Sequence, residues 1–156
     1  MERNGMKRTF EMCMAARPSA LTAILAEERV AVDRIVHIKP ARRVRLMQAL
    51  REGVMGSTFY LGEVAAVEAV VEVEGIRGYA LRVGEDPQDA VAAAAVLALC
   101  GADGNRSQRI GDRLVGEMKV VSELREQQGA AVARTRVRFE GGIVEAYSAS
   151  DYTRDR

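Results

Sequence analysis

A chain of 156 residues with 48% hydrophobic and 29% charged side chains has the length and balance of one soluble globular domain, and at this size roughly 70% of the unfolded surface is buried without any disulfide or metal staple. Its 23 basic and 22 acidic residues leave a net charge of +1, which sets it apart from the basic excess of a dedicated nucleic-acid binder. Cys13 and Cys100 match no CxxC spacing and read as reduced core thiols of a cytoplasmic protein; the charged N-terminus lacks the apolar centre of an export signal, and the purest apolar run, Ala90 to Cys100, is too short to span a membrane.

Thr9 to Arg17 and Ser19 to Glu28 read as helices, the second with Leu21, Ile24 and Leu25 at i, i+3 and i+4, and Pro18 marks the bend between them. The β-branched "VDRIVHIKP" predicts a strand that closes at Pro40. "RRVRLMQALREG" fits an alternating strand or a short helix, with strand preferred. "STFYLGE", Ser57 to Glu63, reads as a turn and contact element. Gly62 permits a tight or left-handed turn, Glu63 can pair or cap, and Phe59 and Tyr60 set two of the chain's seven aromatic residues side by side, either as partner contacts or as part of its own core.

The clearest strand is "EVAAVEAVVEVEG", where Val67, Ala69, Val71 and Val73 alternate with Glu68, Val70, Glu72 and Glu74, so that one face is buried and the other largely acidic. Glu74-Gly75 supplies a tight hairpin turn, and "IRGYALRV" returns with Tyr79, Leu81 and Val83 on one face. An Ala-rich helix follows, capped by Asp86, opened by Pro87, favoured by the charge of Asp89 and ended by Gly101. After the turn "ADGN" a long helix runs from about Ser107 to about Ala133, striped by Ile110, Leu114, Met118, Val121 and Leu124 and weakened by Gly111, Gly116 and Gly129. "RTRVRFEGG" reads as a last strand with Val137 and Phe139 inward, and residues 146–156 as a polar tail expected to be disordered. The elements add up to an α+β fold: one domain over residues 1–145, with an antiparallel sheet of about four strands packed against helices.

The motifs of common chemistries are missing. There is no GxxxxGK[ST] and no GxGxxG after a strand, so no phosphate cradle of the usual kinds. His37, the single histidine, reads as a structural strand side chain, and no His/Cys set can ligate a metal. Glu68, Glu72 and Glu74 share a strand, where chelation or acid/base work competes with the plainer reading of a solvated or partner-facing surface, and the plainer reading is preferred. Arg42, Arg43, Arg45, Arg136 and Arg138 fit phosphates or an acidic partner as well as they fit solvent. No catalytic, cofactor-binding or metal-binding residue is therefore assigned.

The order of Phe59, Gly62 and Glu63, then Gly78 and Tyr79, then Gly84 and Asp86 before an Ala-rich helix resembles the G subunit of the phosphonate C-P lyase system, the PhnG family. The likeness runs from about Phe10 to Phe139. It departs after Phe139, where "EGGIVEAY" stands in place of the further aromatic residues common in the family. The resemblance implies a subunit that works beside H, I and J subunits and an ATP-binding-cassette-like L subunit. The G, H, I and L subunits are associated with a transfer in which methylphosphonate displaces adenine from ATP, giving α-D-ribose 1-methylphosphonate 5-triphosphate. Nucleosidase activity is attributed to I, and J breaks the C-P bond by iron-sulfur and S-adenosylmethionine radical chemistry. MgATP is then a substrate of the complex, this chain binds no cofactor, and no catalytic residue carries over to it.

The residues marked for partner contact are Phe59, Tyr60, Gly62, Glu63 and Tyr79. Two rival readings are a stand-alone enzyme using Glu63 with a second acid, and a small ligand- or RNA-binding module using the arginines. Neither nucleic acid nor membrane is an expected partner.

Overall fold

The computed structural model describes residues 3–51, 53, 56–102 and 104–134, and it divides into two compact units, Met1–Leu124 and Arg125–Arg156. In chain order the elements are α1 (Arg3–Ala15), α2 (Pro18–Glu27), a 3-10 turn (Val32–Arg34), β1 (Val36–Arg51), β2 (Thr58–Val73), β3 (Ile76–Val83), α3 (Pro87–Cys100) and α4 (Asn105–Arg134). The α+β class follows, with three antiparallel strands in the order β1-β2-β3 among the described residues. The expected fourth strand at "RTRVRFEGG" and the polar tail lie outside them. The second unit contributes the last ten residues of α4, 125–134, whose side chains are exposed.

The β2–β3 hairpin forms as its pattern predicts. Glu74 and Gly75 both take positive φ, 53° and 80°, the pair that a two-residue turn between right-twisted strands needs. Val67, Ala69, Val71 and Val73 are buried and lie opposite Arg82, Ala80, Gly78 and Ile76. Tyr79, Leu81 and Val83 share the other face, where they are only partly covered.

Helix α3 packs on the buried face. Asp86 accepts from the Gln88 N–H at 2.9 Å, Pro87 takes the first position and Gly101 ends the helix. Nine of its residues are buried, so this is an interior helix, apolar on nearly every side. Its alanines let the sheet come close. A Cβ built on Gly78 would lie 1.8 Å from the Ala94 carbonyl oxygen, so no other residue fits there without moving α3.

Helices α1 and α2 cover α3, burying Met12 and Cys13 from α1, Ala16 just after it, and Leu21, Ile24 and Leu25 from α2. Cys13 and Cys100 are both free and buried, as expected of core thiols; the hydrogen bond to Cys100, together with burial, pushes the Cys13 thiol up, so it stays protonated. Arg82 points from the buried face of β3 to the end of α1, donating to the Cys13 and Ala16 carbonyls at 2.9 Å each. It satisfies acceptors that a helix terminus leaves open.

Helix α4 closes the first unit through Ile110 and Leu114 and through charge. Arg17, the residue before α2, holds Glu117 by two side-chain bonds of 2.6 and 2.9 Å and by its own backbone N–H at 3.1 Å. Glu117 is only 8% exposed, and the Arg17 guanidinium holds its carboxyl below the usual carboxylate range. Arg106 ties the start of α4 to Glu28 after α2 and to Glu74 in the hairpin turn.

Three sequence expectations give way. The strand expected over "VDRIVHIKP" does not begin at Val32, where the 3-10 turn Val32–Arg34 stands, but at Val36. β1 does not close at Pro40 but runs on to Arg51, absorbing the proline in a register shift between Lys39 and Arg42; β1 is an edge strand, where a missing N–H can be tolerated at a bulge. "STFYLGE" is not a turn, since β2 already begins at Thr58. What read as a turn glycine is a bulge glycine. Gln48 pairs with Gly62 and Ala49 with Tyr60, which leaves Leu61 as the extra residue, and Gly62 takes φ 151° beside it.

Two measurements test this packing. Gly78→Ala should cost about 3 kcal/mol in urea unfolding by overpacking, whereas Gly111→Ala, with nothing within 4 Å of the added Cβ, should stabilise by about 0.5–1 kcal/mol. The depressed Glu117 value gives stability that is present above the unfolded carboxyl's pKa, about 4.3, and is lost as pH falls through the lower folded value. Glu117→Gln should therefore be about 2 kcal/mol less stable at pH 7, and its melting temperature should converge on that of the parent as both are acidified.

Candidate partner interface

Beyond the reach of β3 the sheet continues as two strands only. β3 pairs with Ala66–Val73, while β1 and β2 go on pairing from Arg45 with Ala65 out to Arg51 with Thr58. Among the described residues this arm has neither a third strand nor a helix of the core on it, and a two-stranded ribbon is marginal by itself in water. Its residues are exposed apart from Leu46 and Val64, which are half-buried.

The arm is rich in large apolar side chains. Phe59 is 42% exposed, Tyr60 65%, Leu61 57% and Met47 62%, with Leu50 also exposed. Residues directly opposite on paired strands share a face. Phe59 and Leu50 therefore lie on one face and Tyr60 on the other with Ala49; Glu63 and Met47 share that second face too. The core reading of Phe59 and Tyr60 fails here, because the segment lies past the end of the packed body. Single exposed apolar residues are ordinary; five on one short ribbon are not.

Of the five residues marked from sequence, four come together on the arm. Phe59 and Tyr60 are adjacent, Gly62 shapes the bulge beside them, and Glu63 meets Arg45 at 3.3 Å in an exposed pair of small energetic weight. Tyr79 lies elsewhere. It pairs with Val70, ten residues along β2 from Tyr60, roughly 30 Å of strand. There it stacks on Phe10 of α1 with centroids 6.1 Å apart and planes 8° from parallel, and burial raises its phenol.

Arg136 and Arg138 lie outside the described residues, and the acids weighed for chemistry are each engaged by a different arginine. Glu68 pairs with Arg42 at 2.5 Å, Glu72 with Arg77 at 3.5 Å and Glu74 with Arg106 at 2.6 Å. His37 is exposed on β1, opposite Val71. Among the described residues no group of three or more His, Cys, Asp or Glu is placed to hold a metal ion, and no helix is long and apolar enough to cross a membrane. Sequence reasoning missed the Arg17–Glu117 pair, which borders a groove of about 480 Å³ between α2 and α4. No local signal points to it, since its members are a hundred residues apart.

Comparison with known families decides the lineage. The sequence profile of the family described as phosphonate metabolism protein PhnG matches residues 5–141. The chain belongs to the PhnG family. No curated protein matches it. Membership places the chain in phosphonate metabolism, and the match takes in the arm, the hairpin, α3 and all of α4.

Stability measurements separate the two aromatic sites of this PhnG-family chain. Phe59→Ala with Tyr60→Ala should change the unfolding free energy of the isolated chain by less than about 1 kcal/mol, because little packing is removed. Tyr79→Ala should cost about 1–2 kcal/mol, the stack on Phe10 included.

Proposed function

We propose that this PhnG-family chain is a non-catalytic subunit of a multisubunit phosphonate-metabolism complex. The complex transfers a ribose-5-triphosphate unit from MgATP to methylphosphonate with release of adenine, and other chains of H, I, J and L type supply its nucleotide site and its chemistry. The observation that carries the reading is the exposed ribbon around Phe59, Tyr60 and Leu61, a surface with the aromatic composition of a protein interface and no chemistry of its own.

Displacing adenine needs a triphosphate cradle, a group that activates the leaving base and a positioned phosphonate. The acids weighed for that role are engaged one by one with arginines, Glu63 with Arg45 among them. The favoured role is to shape a site that another chain holds. The chain's own stable body, built on α3, serves as the platform for the ribbon.

The decisive experiment is co-expression with the other subunits followed by size-exclusion chromatography. The parent chain should co-elute with them, and the Phe59→Ala, Tyr60→Ala variant should melt normally yet assemble at least about thirtyfold more weakly, equivalent to about 2 kcal/mol. A variant that assembles like the parent removes the ribbon from the interface. Calorimetry on the isolated chain should show no ATP binding tighter than about millimolar, near −4 kcal/mol; a micromolar isotherm overturns the non-catalytic reading.

A further inference from the structure

Among the described residues the sheet has one covered edge and one open one. Along β3 lies α1, whose Met14 sulfur accepts from the Leu81 N–H at 3.3 Å. β1 forms the other edge, and the ladder fixes which of its peptide groups are free. Ala65 of β2 accepts from the Gly84 N–H at 3.0 Å, on the β3 side. Odd-numbered residues of β2 therefore turn their peptide groups toward β3 and even-numbered ones toward β1. Ala66 faces β1 opposite Val44, so Val44 and Leu46 point inward and Arg43, Arg45 and Met47 point their N–H and C=O groups outward. The Leu81 N–H obeys the same rule: Leu81 pairs with Glu68, which bonds toward β1, and its own N–H faces out to Met14.

The open edge is regular where it matters. Register is unbroken from Arg42 to Gln48, between the shift at Pro40 and the bulge at Leu61. It is also one-sided in charge. β1 carries Lys39, Arg42, Arg43, Arg45 and Arg51 and no carboxylate, in a chain whose total is +1. Arg42 is matched by Glu68, and Arg45 only by the exposed Glu63. Arg43 reaches no carboxylate; its Nε donates to the Glu85 carbonyl at 3.4 Å, and Lys39 has no ion pair among the described residues. A recess of about 460 Å³ lies beside them, lined by Arg43, Val44, Arg45, Glu63, Ala65 and Glu85.

Positive charge on an open edge blocks pairing with a second copy, because two β1 strands would set arginine against arginine. The same charge favours an acidic strand. We propose that in the assembled complex the β1 edge from Arg42 to Gln48 is completed by an extended acidic segment of a partner subunit. Its backbone pairs with the outward groups of Arg43, Arg45 and Met47, and its carboxylates meet Lys39, Arg43 and Arg45. Backbone pairing supplies affinity and the charges choose the partner and its register. The inference rests on the subunit reading above and gives the partner's chemistry and mode of contact.

Amide hydrogen exchange on the isolated chain and on the co-expressed complex tests it. In the free chain the amides of Arg43, Arg45 and Met47 should exchange quickly, while those of Val44 and Leu46 are already slow. On assembly the first three should slow by at least about a hundredfold, as ladder formation does, with the other two unchanged. Arg43→Gln with Arg45→Gln should leave the melting temperature as it is, weaken assembly about tenfold at low salt and flatten its salt dependence. If the complex forms and the three amides still exchange as in the free chain, strand addition is wrong and the subunit reading survives. If no complex forms, both fall. Protection of the same amides in a free chain that sediments as a dimer makes a second copy the occupant and overturns the proposal, and an unchanged salt dependence in the double variant overturns the acidic character of the partner.

Discussion

Gly78 and Ala94 touch backbone to backbone, and the architecture of the first unit is arranged around that approach. A helix can lie this close to a sheet only if its facing side chains are small, and α3 supplies alanines along its length. The same composition gives α3 no polar side, so it cannot lie at the surface with half its girth in water. α1 and α2 are required to cover what the sheet does not, and Leu21, Ile24 and Leu25 are the side chains that do so for α2. Close packing of this kind tolerates little change of volume, which makes the body a stiff support.

Charge plays a different part. Arg17 with Glu117, Arg106 with Glu28 and Glu74, and Arg113 with Glu27 all join α4 to elements far away in sequence. Such pairs bring modest net stability, because taking charges from water offsets much of their attraction. They fix where α4 lies along α2, which the smooth apolar stripe of Ile110 and Leu114 leaves undetermined. In the arm the balance is reversed: large apolar groups face solvent and the arginines have few carboxylates. The body satisfies itself, and the ribbon does not.

The sequence made the local features legible. Alternation from Val67 to Val73 and the Glu74-Gly75 pair define the hairpin, Asp86, Pro87 and Gly101 bound α3 to the residue, and the heptad-like spacing of Ile110 and Leu114 marks α4. Each depends on neighbours within a few positions. Pro40 misled because its missing N–H matters only if that side of the strand is paired, and which strand lies at an edge is a property of the whole sheet. Gly62 misled for a related reason, since a glycine at positive φ serves a turn or a bulge alike and only the register of β1 tells them apart. Exposure of Phe59 and Tyr60 is likewise set by where β3 stops. Nothing in the sequence near Arg17 foretells Glu117, because the pair is created by the docking of two helices at opposite ends of the first unit.

The distance along the chain between such partners also orders events during synthesis. Cys13 and Ala16 wait for Arg82, and Arg17 waits for Glu117, so the two leading helices leave the ribosome long before the residues that hold them exist. The β1–β2 pairing joins segments adjacent in the chain, so its contacts are local and both strands are made before α3 and α4. The segments of the ribbon are thus all present while the body that carries it is still unfinished.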